Sequence, residues 1–88
     1  MEIKIATRQL ADQSDRIRTF HYFLTVDWLE TGAFCCENYG VRITEEGGET
    51  ALIPSITLSA MRADELLSML VEHRVGPAGL HEVVAEWL

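Results

Sequence analysis

Apolar residues alternate singly along the first two-thirds of this chain and then, from about residue 60, recur every three or four positions. A period of two belongs to strands with one buried face, and a period near 3.6 to helices that bury one stripe. That switch points to an antiparallel sheet followed by helices laid against it. The 88 residues suffice for one core and not for two, so a single domain spanning 1–88 is expected. The fold class is α+β, an antiparallel sheet of three to four strands followed by two C-terminal helices packed on one face.

In residues 2–7, Ile3 and Ile5 fall on one face and Glu2, Lys4 and Ala6 on the other, a strand that can reach Leu10. The polar run from Ala11 to Asp15 predicts a turn. Residues 16–28 have the strongest strand composition, rich in β-branched and aromatic side chains. Phe20, Tyr22, Leu24, Val26 and Trp28 form the more apolar face and are assigned to the core; Ile17, Thr19, His21, Phe23 and Thr25 form the other. A loop is expected over 29–33 around Gly32, and a third strand from Phe34 to Thr44 with Tyr39, Val41 and Ile43 on one face. Gly40 inside that strand predicts a bulge or a close backbone approach. Gly47-Gly48 supplies the backbone freedom of a hairpin turn over 45–49. The fourth strand, 50–57, contains Pro54; lacking an amide donor, Pro54 predicts an edge strand or a break.

Ser59 is placed to cap a first helix whose stripe is Ala63, Leu66, Leu67, Leu70 and Val71. Asp64 and Glu65 are assigned to its positive end, and His73 and Arg74 to its negative end. Gly76 is expected to terminate it in the left-handed conformation, with Pro77 opening the next helix. The second stripe is Leu80, Val83, Val84, Trp87 and Leu88. Helices this short need a surface to pack on.

The formal charge is -7. Its distribution is uneven: residues 27–59 hold Arg42 against Asp27, Glu30, Glu37, Glu45, Glu46 and Glu49, whereas residues 1–26 hold Lys4, Arg8, Arg16 and Arg18 against Glu2, Asp12 and Asp15. Such a balance repels phosphate backbones and anionic membranes, so neither nucleic acid nor membrane is an expected partner. The opening Met-Glu-Ile-Lys-Ile is not a charged-then-apolar leader, and no apolar run approaches the roughly 20 residues of a bilayer span. The cytoplasm is the expected compartment.

Cys35 and Cys36 are the residues most suggestive of chemistry. Neighbours in a strand point to opposite faces, which separates the thiols, and zinc typically needs four ligands that this chain does not space. One thiol buried as a small hydrophobe and the other on the opposite face is the expectation. His21 with Cys35 and Glu37 makes a nucleophile–base–acid set only if two strands pair in one register, and no oxyanion hole accompanies it. His73 and His81 read as surface residues, and Glu45, Glu46 and Glu49 as solvated turn carboxylates. No catalytic, cofactor-binding or metal-ligating residue is expected, and no cofactor.

Three stretches carry a resemblance: Tyr22-Phe23-Leu24-Thr25, the run from Glu37 to Ile43, and a tail comprising Asp64-Glu65-Leu66-Leu67, Val75-Gly76-Pro77 and Leu80 to Leu88. In these the chain resembles a family of small uncharacterised clostridial proteins classed as a domain of unknown function. The resemblance implies a bacterial, cytoplasmic origin and assigns no activity or site residue. The expected role is a non-enzymatic protein-interaction or regulatory module, with a homodimer through the free sheet face or the Pro54 edge as one form of it. Ile17, Phe23 and Phe34 are the candidate partner contacts. The alternatives are a small-ligand binder or Cys/His enzyme with a pocket between sheet and helices, and an acidic nucleic-acid mimic.

Overall fold

A computed structural model describes residues 1–32 and 34–88; Ala33 and the side chains of Thr31 and Phe34 lie outside the described residues. Four strands, β1 (Glu2–Ala11), β2 (Ile17–Thr31), β3 (Phe34–Glu45) and β4 (Thr50–Thr57), form an antiparallel sheet in the order β1-β2-β3-β4. Helix α1 (Ala60–Glu72), a 3-10 turn (Pro77–Gly79) and helix α2 (Leu80–Trp87) follow. The expected α+β class therefore holds, as do the turns over 12–15 and 46–48. No helix among the described residues is long and apolar enough to cross a membrane.

The helices cover one face. Phe20 and Tyr22 of β2 and Val41 and Ile43 of β3 bury against Leu66, Leu67, Leu70, Leu80 and Val84. The register sets Tyr22 opposite Ile43 and Leu24 opposite Val41, which places these apolar side chains on the same side of the sheet. Ser59 caps α1, its side-chain oxygen accepting from the Arg62 amide at 3.3 Å. The helix ends at His73, and Arg74, not Gly76, takes the left-handed turn, with φ 50°. Gly76 stays extended for another reason: a Cβ there would lie 3.1 Å from the Phe20 ring. The dipole assignment also fails, because Asp64 and Glu65 fall beyond the first turn, which instead holds Arg62. Arg62 rests over the Trp87 ring at 4.2 Å and joins the two helices.

Trp28 is not in the core; it is 66% exposed. The reason is length. Fifteen residues of β2 extend for about 50 Å, whereas thirteen residues of α1 cover about 20 Å. Burial of the period-two face therefore stops where the helices stop. The expected loop over 29–33 is correspondingly shorter, since β2 pairs with β3 as far as Thr31 and Phe34.

Gly40 does mark a bulge. Register slips between Tyr39 and Val41, where β4 inserts Pro54 and Ser55, the latter at φ 61°. A Cβ on Gly40 would sit 2.6 Å from Thr25 Oγ1 and 2.7 Å from Pro54 Cα.

Candidate functional site

Strand lengths define two regions outside the core. The first is an arm. β1 begins opposite Thr25 and β4 ends opposite Tyr39, so beyond those rows β2 and β3 continue as a two-stranded ribbon. Its rows are Asp27 with Asn38, Trp28 with Glu37, Leu29 with Cys36, and Glu30 with Cys35. The ribbon carries exposed Trp28 and Leu29 beside Asp27, Glu30 and Glu37, and residues 27–38 contain no basic side chain. The Tyr39 hydroxyl donates to Glu37, and that hydrogen bond holds the phenol above its usual range.

The second region is the sheet face that the helices leave open. Two of the candidate contacts lie here with different standing. Ile17 is 61% exposed at the end remote from the arm. Phe23 is half-buried under the Arg42 guanidinium, 4.1 Å from its ring. Arg42 is in turn fixed by Glu2 at 2.6 Å and by the Thr44 hydroxyl at 3.2 Å. Phe34 pairs with Thr31 near the tip, and its side chain lies outside the described residues.

Between the Arg42 row and the arm the open face dips. A hollow of about 180 Å³ lies there, lined by Met1, Glu2, Thr25, Asp27, Leu52 and Pro54; the space directly over Gly40 is filled by the β4 backbone and Thr25 Oγ1. Sequence reading identified Gly40 as a backbone feature but missed the hollow, which depends on three other strands reaching that row. At the opposite end, Arg18 and Glu45 form a bidentate pair at 2.7 and 3.1 Å. That pair holds the Glu45 carboxyl below its usual range, first through the hydrogen bond from Arg18. Glu45 is therefore not merely a solvated turn residue.

The remaining candidates are dispersed. His21 pairs with Thr44, while Cys35 pairs with Glu30, nine residues further along β2 and on the opposite face. At roughly 3.3 Å per residue the histidine and thiol are about 30 Å apart, so these residues do not form a triad. His21 instead contacts the Thr7 hydroxyl at 3.2 Å. Neither thiol is buried as expected: Cys35 is exposed and Cys36 half-buried, its Sγ 3.8 Å from the Leu29 carbonyl oxygen. They flank a ribbon that has no core beneath it. His73 and His81 are exposed, and the described residues hold no group of three potential metal ligands.

Both sheet edges are guarded. The Asp12 amide bonds the Arg16 carbonyl, so alternation turns the backbone groups of Thr7 and Gln9 away from β2. Their outward carbonyls accept from Arg8 and from Arg74, each at 3.2 Å. On the other edge Pro54 and the bulge at Ser55 interrupt β4.

Fold and surface together define a small meander sheet, lidded by helices on one side, with an acidic two-stranded arm. The chain belongs to the family of unknown function DUF6514, whose model matches residues 1–88. Neither the curated proteins nor the solved structures compared with it gave a match.

Proposed function

We propose that this protein is a non-enzymatic protein-interaction module of the bacterial cytoplasm, from a clostridial source, and that the arm is its main contact element. The observation that carries the reading is the exposure of Trp28 and Leu29 on a ribbon that projects beyond the helices. A two-stranded ribbon is at best marginally stable by itself, and aromatic residues are the commonest anchors of protein interfaces. Exposed tryptophan on such an element is accounted for by a partner that covers it. The guarded edges favour contact through the arm and the open face over pairing of sheet edges.

The test is affinity capture from the native cell with the wild-type chain and with Trp28→Ala, using His73→Ala as a distant control. A protein retained by wild type and control but lost with Trp28→Ala supports the reading. Identical captures by all three overturn it. Sedimentation of the purified chain settles the share of self-association, which a strict monomer at high concentration would remove.

A further inference from the structure

We propose that the free β2 edge of the arm takes an added strand, an extended segment of the protein partner that alternates basic with apolar residues. The inference rests on the interaction role proposed above. In an antiparallel ladder, successive residues turn their backbone groups to opposite sides of the strand. Val26 directs its groups toward β1: its amide donates to the Met1 carbonyl at 2.8 Å, and its carbonyl accepts from the Met1 amino group at 3.0 Å. No β1 residue pairs beyond that row, so the next outward-facing residues, Trp28 and Glu30, meet no strand on that side. Each presents an N–H and a C=O, and the two residues lie about 6.6 Å apart along the edge. The edges of the main sheet are closed by Arg8, Arg74 and the Pro54 bulge, whereas the described residues place no such closure on Trp28 or Glu30.

The flanking side chains set the chemistry of the occupant. Trp28 and Leu29 are exposed on opposite faces of this edge strand. Glu37 is paired directly with Trp28, and Glu30 follows two residues on, so both carboxylates share the tryptophan's face. Asp27 shares the face of Leu29. None of the three acids makes an ion pair among the described residues, and 27–38 holds no basic side chain. Basic side chains laid along the Trp28 face therefore meet two carboxylates and the face of an indole, while an apolar residue between them packs on Leu29. A helix bonds its own backbone and leaves the edge groups unpaired; an extended chain bonds both residues. A second copy is the poorer occupant. Pairing two arms edge to edge gathers Asp27, Glu30 and Glu37 of each copy with no basic side chain among them. The same acids that discourage self-pairing select a basic strand.

A segment antiparallel to β2 sets one basic residue opposite Glu30, an apolar residue opposite Leu29 and a second basic residue opposite Trp28, ending where Met1 begins. The probe is the tetrapeptide Val-Arg-Val-Arg, capped at both ends, titrated into isotopically labelled full-length protein and followed by amide shifts and amide exchange. Two counterparts are titrated in parallel, one N-methylated at both arginine amides and one with glutamate for arginine. Shifts and slowed exchange centred on the Trp28 and Glu30 amides support the added strand, provided that each counterpart binds about ten-fold more weakly or worse. Glu30→Pro removes an outward N–H that the β2–β3 ladder does not use, so it should keep the core amide shifts and abolish binding, whereas Glu30→Gln should only weaken it. Equal binding by the N-methylated peptide shows attraction of charge alone and overturns the proposal. Protection confined to Cys35 and Glu37 places the peptide on the β3 edge and also overturns it, as does no binding at about 10 mM peptide. Partner capture with Trp28→Ala separates the two readings. Loss of capture in that variant, with no peptide binding to wild type, removes the added strand and leaves the arm's role intact. Unchanged capture, with the peptide bound at Trp28 and Glu30 of wild type, removes the arm's role and leaves the edge able to take a strand.

Discussion

Tyr22 joins the two layers through one hydrogen bond. Its ring is fully buried in the core, and its hydroxyl donates to the Val75 carbonyl at 2.9 Å across the α1–α2 connection. Burial pushes the phenol up to about 12. A group whose pKa is higher folded than unfolded stabilises the fold fully below its unfolded value, near 10, and loses that contribution as pH rises toward 12. We expect stability to fall by roughly 2–3 kcal/mol across that window in an alkaline unfolding series. Tyr22→Phe should lower stability at neutral pH by about 1 kcal/mol and remove most of the alkaline slope. Gly40 is constrained differently. Its missing Cβ admits the β4 bulge, so Gly40→Ala must displace backbone as well as a side chain. Denaturant unfolding should show a loss of about 3 kcal/mol or more, whereas Gly32→Ser, with nothing within 4 Å, should retain the core and cost only what its left-handed backbone imposes.

At the scale of elements, the arm and the lidded sheet should behave as separate units. Amides of 27–31 and 34–38 lie in a ribbon with no third strand beside it, while those of Tyr22, Leu24, Val41 and Ile43 lie beneath helices. Hydrogen exchange should therefore release the arm amides by local opening and protect the others to near the global limit. Comparable protection in both regions would show that the ribbon is stabilised by contacts not yet identified. The same division explains what could be read in the sequence. Both helices, the four strands and the core face of β2 up to Val26 follow from periodicity, because burial imposes periodicity. Trp28 escapes that logic: its parity is right, but the length of α1, more than thirty residues later, decides whether anything lies over it. Gly76 misleads similarly, since the glycine is required by the Phe20 ring, not by the helix end. The hollow was the least legible feature. It is assembled from single residues on separate strands, and no local pattern records which of them share a row.

The whole molecule is elongated, with principal extents of 54 × 23 × 17 Å and a Cα radius of gyration of 14.0 Å. A compact chain of this length would have a radius of about 12 Å. Small-angle scattering from a monomer should therefore give a maximum dimension close to 54 Å before hydration. Pairing of open faces would thicken the particle at nearly constant length, whereas joining arm to arm would lengthen it greatly. The acidic arms make the latter the poorer geometry for two identical copies. The distance in sequence between the buried strip and its cover also has a consequence for synthesis. Phe20 and Tyr22 leave the ribosome some fifty residues before Val75 and Gly76, the backbone they hold in place. Until then the hairpins can form but their inner face is bare. The nascent chain thus passes through an interval in which a sticky sheet waits for its lid, and the guanidinium of Arg74, which closes the β1 edge, arrives in that same late stretch.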